Sequence, residues 1–246
     1  MKKRYLLLPV VLGYLLGLIL MIPARFVIEW LPLSSGVSLQ GASGTLWQGQ
    51  VQSLVLGKQQ VGPLSWNWRS AALLEGKIAA DIELADPRMI NGRGIVGWNG
   101  EWSIQEATLR FPAAVLGNAM GLSAELSGDI NAHLTQLRFT PRNCIEAVAD
   151  VRWSNGNLVD IATTVNTGNT RLRIKCVNQQ WLADITQTSE QLHSKGQLLL
   201  QGAQQYRLQG EVTPGPAFPP ALLMLLAQSA GHESQGRYTF ETSGRW

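Results

Sequence analysis

An all-β body, mainly antiparallel, is the fold class this sequence predicts: one long bent or curved sheet with two or three short helices, behind an N-terminal transmembrane helix. Three observations predict it. Residues 5–24 carry no charged side chain, and Lys2, Lys3 and Arg4 stand directly before them. Beyond that run, apolar residues alternate with polar ones in segment after segment, the period of a strand with one buried face. Turn-forming pairs such as Asn99-Gly100 separate the segments at the roughly 8–12-residue spacing of antiparallel sheet proteins.

The uncharged run comes first. A helix rises about 1.5 Å per residue, so about 20 such residues cover the roughly 30 Å of a hydrocarbon core. Arg25 and Glu29 close the run. Pro9, Gly13 and Gly17 are compatible with a helix, because lipid offers backbone groups no partner outside it. A cleaved signal peptide would share the basic start, but its apolar core is about 7–15 residues long and ends at a small-x-small site. Here the end reads Met21-Ile22-Pro23-Ala24-Arg25, and Ile22 spoils that site. The expectation is an uncleaved single-pass anchor. Residues 1–4 form a cytoplasmic end, 5–24 the membrane helix and 25–246 a β-rich domain on the far side, since basic flanks stay in the cytoplasm. Trp30 suits the aromatic belt at the outer interface.

Composition narrows the function classes. Asp, Glu, Lys and Arg make up 15% of the chain, against about 25% in an average soluble domain. The net charge is +3, and Lys2, Lys3 and Arg4 account for all of it, so the remainder is neutral. That excludes nucleic acid as a partner, which needs a concentrated basic face. The two cysteines, Cys144 and Cys176, suit a disulfide if the domain lies outside the cytoplasm. The loop of about 33 residues that it closes is worth roughly 3.5–4 kcal/mol on the chain-entropy model. A metal is not expected, because neither Cys has a second Cys or a His at ligand spacing. Parity sets a condition. Cys176 shares the apolar row of Leu172 and Ile174, whereas Cys144 is out of phase with Ala147, Ala149, Val151 and Trp153. A bulge or a strand end must bring the two onto one face.

Along the chain, Ser70-Ala71-Ala72-Leu73-Leu74 suits one helical turn, and Ile78, Ala80, Ile82 and Leu84 form the first clear apolar row. Residues 112–120, from Pro112, and 220–228, from Pro220, read as short helices with proline at the first position. Each follows a strand and leads into another, near 124–134 and 237–242, which suggests two related halves, about 33–135 and 136–246. Trp181, Ala183 and Ile185 form a further row, then Tyr206, Leu208 and Val212, then Tyr238 and Phe240. Asn91-Gly92, Asn99-Gly100, Asn155-Gly156, Thr167-Gly168-Asn169 and Gln201-Gly202 are read as turns between strands. Two or three short helices cannot cover one whole face of such a sheet, so it must close on itself or present a groove.

No residue pattern points to catalysis or to a cofactor. His133, His193 and His232 lie far apart, and no Gly-x-Ser-x-Gly elbow or His-Glu-x-x-His is present. Asp81 and Glu83 share the polar face of a strand and read as a solvated pair. Asn91-Gly92-Arg93-Gly94 has no following helix to bind phosphate. Tryptophan is the conspicuous residue. Trp47, Trp66 and Trp68 are core aromatics on one reading and the lining of a groove or partner contact on the other.

Gly41-Ala42-Ser43-Gly44-Thr45-Leu46-Trp47-Gln48-Gly49 is the densest motif, and Leu64-Ser65-Trp66-Asn67-Trp68-Arg69, a Leu-rich turn and the strand Gly76–Leu84 follow it. Together with the basic end and the single anchor, these resemble protein N of the type II secretion system, the general secretion pathway. The resemblance covers most of the chain and is strongest over residues 41–84. It implies a non-enzymatic, single-pass component of the bacterial inner membrane. Such a component has a periplasmic body and acts through protein contacts with other secretion components to export folded proteins across the outer membrane. It carries over no catalytic, metal or cofactor residue. The Gly-Thr-Leu-Trp-x-Gly turn also resembles those of AsmA-type envelope proteins, which implies the alternative of a lipid partner held in a hydrophobic groove.

Overall fold

The structure is a computed structural model that describes residues 11, 13–14, 17–30, 37–56, 59–86, 89–119, 124–160, 163–201, 205–229 and 232–245. It is mostly antiparallel β-sheet with a few short helices, divided into two compact units, residues 1–90 and 91–246. Among the described residues no helix is long and apolar enough to cross a membrane. The transmembrane helix expected over 5–24 falls partly outside the described residues, at 5–10, 12, 15 and 16.

In the first unit, a helical stretch through Leu20 ends in a turn at Met21, whose N–H donates to the Gly17 carbonyl at 3.1 Å. Helix α1 (Ala24–Trp30) follows. Seven short strands come next: β1 (Val37–Gln40), β2 (Ser43–Gly44), β3 (Gln48–Val51), β4 (Ser53–Leu56), β5 (Gln59–Val61), β6 (Leu64–Trp68) and β7 (Ile78–Ala85). One small sheet has the order β1-β4-β5, and β2-β3-β6-β7 form another row. Helix α2 (Ser70–Leu74) connects β6 to β7, as its short Ala/Leu run suggested. The register Leu64↔Leu84, Trp66↔Ile82, Trp68↔Ala80 puts the apolar alternation of both strands on one face. Val51 and Val61 are buried, and Ser53 is buried beside them. Asp86 ties two loops together, since its carboxylate accepts from the Gly62 N–H at 3.2 Å and the Met89 N–H at 3.0 Å.

The second unit contains β8 (Asn91–Trp98), β9 (Trp102–Pro112), α3 (Ala113–Ala119), β10 (Glu125–Phe139), β11 (Cys144–Val159), β12 (Thr164–Val177), β13 (Gln180–Thr188), β14 (Leu192–Gln201), β15 (Gln205–Pro214), α4 (Pro220–Ser229), β16 (His232–Ser234) and β17 (Arg237–Arg245). Each strand from β8 to β15 pairs with the next, and the row ends β15-β17-β16. One face carries the apolar rows: Ala149 faces Ile174, which faces Ala183, which faces Leu198, which faces Leu208. Helix α3 covers one end of that face, where Ala113, Leu126 and Ile130 are buried and Phe111, Val151, Trp153 and Leu158 pack around them. The Trp153 indole donates to the Ser127 carbonyl at 2.9 Å, so its polar edge is satisfied where it is covered.

Several expected turns proved to lie inside strands. Asn91-Gly92 opens β8, and Gly92 pairs with Leu109. Asn155-Gly156 lies within β11 and Gly168 within β12. Asn155 has φ 52° and Gly168 φ 59°, and the register slips beside them. These residues therefore serve bulges, which admit the same positive φ as a turn and let a long strand continue. Asn99-Gly100 does separate β8 from β9, with Gly100 at φ 95°. Gly202 lies outside the described residues. The two-residue hairpin joining β12 to β13 is Asn178-Gln179, both with positive φ. Pro112 ends β9, so α3 begins one residue later than expected, whereas Pro220 is the first residue of α4.

Candidate functional site

The Gly-Thr-Leu-Trp motif forms a closed turn that holds the end of the N-terminal helical stretch. The Thr45 N–H donates to the Gln48 carbonyl at 2.8 Å, and the Gln48 N–H donates back to Thr45 Oγ1 at 3.2 Å. This leaves Leu46 and Trp47 at the tip. The Leu46 N–H donates to the Ile22 carbonyl at 2.9 Å, and Thr45 bridges Pro23. The Trp47 indole N–H donates to the Ile19 carbonyl at 3.0 Å. Carbonyls in the last turn of a helix are short of intrahelical partners. That of Ile19 accepts a long bond from the Ile22 N–H at 3.4 Å, and the Trp47 side chain supplies a second, shorter one.

Trp66 and Trp68 complete the cluster. The Trp66 indole donates to the Leu46 carbonyl at 2.9 Å. The Trp47 and Trp68 rings meet edge to face, with centroids 5.4 Å apart, and the Trp68 N–H donates to the Trp47 carbonyl at 2.8 Å. Gly49 makes room for Trp66. A Cβ there would stand 2.5 Å from the ring and 2.7 Å from the Ser43 carbonyl oxygen. The three tryptophans picked out from the sequence thus lie around one turn, and all three are half-buried. The backbone partners at Ile19 and Ile22 were invisible in the sequence, because any residue supplies a carbonyl.

Cys144 and Cys176 are joined, with Cα atoms 5.9 Å apart. The parity problem is solved at Ile145. Arg138 faces Glu146, yet the next residue, Phe139, faces Cys144, so one extra residue of β11 is taken up there. Cys144 is thereby fully buried on the side of Ala147 and Ala149. Phe139 opposes Cys144 and Trp181 opposes Cys176, and the two rings meet at 5.9 Å. An aromatic pair therefore brackets the bridge.

The opposite face of the second unit carries paired charges, most of them matched across strands. Arg138 meets Glu101 at 2.8 Å and Glu146 at 3.7 Å. Asp150 accepts from Arg152 at 2.9 Å and is paired with Arg171, and Lys175 meets Asp184 at 2.6 Å. Burial pushes the Asp150 carboxyl up, but the hydrogen bonds and charges of Arg171 and Arg152 outweigh it and hold the group below the usual carboxylate range. The Lys175 hydrogen bond, with help from Gln197, lowers that of Asp184. The Glu101 hydrogen bond raises the Arg138 guanidinium further above its ordinary value. Every one of these shifts strengthens an ion pair, and none prepares an acid or base for reaction.

No constellation for chemistry assembles among the described residues. His133, His193 and His232 lie on separate strands, β10, β14 and β16. Asp81 is held by the Arg69 guanidinium at 2.8 Å, and no group of three or more His, Cys, Asp or Glu is placed to hold a metal. An open depression of about 700 Å³ lies at Gly196 and Gly210, with Asp184, Lys195 and Glu211 in its lining, but neither His nor Cys borders it.

The comparisons with known proteins converge. The family described as Type II secretion system (T2SS), protein N, matches residues 35–241. The chain is 30% identical over 251 residues to the type II secretion system protein N of Aeromonas hydrophila, covering 100% of both chains. It is 29% identical over 230 residues to that of Vibrio cholerae serotype O1, covering 91% of each. It is also 29% identical over 237 residues to that of Klebsiella pneumoniae, covering 95% of this chain and 92% of the relative. No solved structure matches the chain. With a family match over most of its length and a relative aligned from end to end, the chain belongs to the type II secretion system protein N family.

Proposed function

We propose that the protein is a non-enzymatic component of the type II secretion system, held in the inner membrane by residues 5–24 and acting in the periplasm through contacts with other components of that system. The family match over residues 35–241 carries this reading. The uncharged run behind Lys2, Lys3 and Arg4 supports the anchor and its orientation. On this reading the body lies in an oxidising compartment, where a Cys144–Cys176 bridge forms and persists. The sheet of the second unit ends on β16, a strand of three residues. Among the described residues, β16 pairs only with 237–239 of β17 (Arg237–Arg245). The remainder of β17 therefore leaves backbone open for strand addition, alongside contact through the sheet faces. Deleting the gene tests the proposal: an exported enzyme should accumulate in the periplasm, and unchanged secretion with the rest of the apparatus intact would remove the claim. A reporter fused after Trp246 should be active only outside the cytoplasm.

A second reading, lipid handling along a hydrophobic groove, is favoured by one observation. Ile174, Ile185, Leu198 and Leu208 on the apolar face are only half-buried. Photo-crosslinking residues at positions 174 and 198 separate the two. Phospholipid adducts favour the groove, and adducts to a secretion subunit favour the first reading.

A further inference from the structure

We infer that the α2 turn is a second membrane contact, with Leu73 and Leu74 seated in the lipid interface beside the exit of the N-terminal anchor. The inference rests on reading residues 5–24 as a membrane span and goes beyond it.

The argument begins with exposure. Leu74 is 92% exposed and Leu73 47%, and Ile78 just beyond the turn is 40% exposed. A single exposed leucine means nothing, because much of any protein surface is apolar. Here two adjacent leucines stand at the tip of a five-residue helix with no buried residue of its own. Leu74 therefore adds almost nothing to internal packing, and Leu73 is only half covered.

The position of the turn then selects the occupant. A chain of direct contacts leads from the anchor to it. The Ile19 carbonyl meets the Trp47 indole, the Trp47 ring meets the Trp68 ring, and α2 begins two residues after Trp68. One helical turn of five residues is only about 7.5 Å long. Leu73 and Leu74 are therefore tied to the point where the helical stretch ends, at the same end of β6 and β7. A span ending near Met21 holds that end of the sheet at the bilayer surface, with Trp47 and Trp68 at the depth where interfacial aromatics collect. The tether presents the turn to lipid at high effective concentration, ahead of any soluble partner.

Charge is arranged compatibly. Arg69 is matched by Asp81 at 2.8 Å and Lys77 by Glu75 at 3.2 Å, so the rim of the turn bears paired charges. The apolar tip between them can enter the headgroup boundary without drawing an unpaired charge with it. A turn of this kind also restrains rotation, because two contacts fix the body's orientation on the membrane where a single helix would let it swivel.

Site-directed fluorescence tests this on the full chain in vesicles of phosphatidylethanolamine and phosphatidylglycerol. The two native cysteines are joined, so an added cysteine takes the label. An environment-sensitive fluorophore is placed in turn at Tyr14→Cys, Leu74→Cys and Glu83→Cys, and quencher-bearing phospholipids are added. Position 83 is exposed and lies about 17 Å further along β7 than Ile78, at about 3.3 Å per residue. The expected result is a blue shift and loss of emission at 14 and 74, with emission at 83 retained. Quenching at 14 with emission at 74 matching that at 83 would overturn the α2 contact and leave the anchor standing. A blue shift at 74 without lipid quenching would mean protein covers the turn, which also overturns it. Emission unquenched at 14 would remove the anchor and this inference with it.

Discussion

Between β1 and β7 the strands run two to eight residues, whereas β10, β11 and β12 run fifteen, sixteen and fourteen. The pairing order differs as well. In the first unit β3 pairs with β6, past the intervening β4 and β5, while in the second each strand from β8 to β15 pairs with its neighbour in sequence. Short strands make few ladder hydrogen bonds, so the first unit takes its definition from side chains that reach the backbone. Trp47, Trp66, Thr45 and Asp86 all bond to main-chain groups there. The second unit has such bonds as well, at Trp153 and Gln187, but adds ladder length, one covalent bridge and rows of ion pairs. Local clasps suffice where the chain must turn often around a fixed point, and repetition suffices where it only has to extend.

Perturbations confined to one unit should test that contrast, read by hydrogen exchange on the full chain. Reducing the Cys144–Cys176 bridge has the largest expected effect, about 3.5–4 kcal/mol from the freed loop of about 33 residues. Exchange should rise through β10 to β13 and stay unchanged between β2 and β7; a rise in both would break the comparison. Trp66→Ala comes next, at about 3 kcal/mol, the low end for a large aromatic because the ring is only half-buried. It should loosen β3, β6 and β7 and leave β8 onward protected. Trp47→Phe keeps most of the ring and loses the bond to the Ile19 carbonyl, worth about 1 kcal/mol, with faster exchange expected at Leu46 and Met21.

Asp184→Asn is the smallest, because exposed pairs contribute about 0.2–1 kcal/mol. The sign follows from the lowered folded pKa. The Asp184 stabilisation is complete above the unfolded carboxylate range and is lost as pH falls through the folded value. Urea midpoints of wild type and variant should therefore differ at pH 7 and converge in acid. A gap that widened on acidification would reverse the assignment.

Strand identity was legible in the sequence wherever alternation was clean. Ile78, Ala80, Ile82 and Leu84 announce β7 and its apolar face without help from the rest of the chain. Strand length was less legible, because Asn155 and Gly168 carry the same preference for positive φ whether they reverse a chain or bulge it. Only the neighbouring strand decides between the two. Cys144 shows the same limit, since its phase error predicted an irregularity but could not say that Ile145 would absorb it. The tryptophan motif could be picked out from composition, yet its partners are carbonyls of Ile19 and Leu46, and a main-chain acceptor leaves no trace in side-chain identity.

The neighbour-to-neighbour order of β8 through β15 has a kinetic consequence. A chain emerging amino end first can zip each new strand onto the one just laid down, with only short loops to close. Assembly can thus keep pace with delivery, and little unpaired backbone is left waiting for a late partner. The last strands, β16 and β17, finish the row, so a chain interrupted before Arg237 would leave the full length of β15 as a bare, adhesive margin.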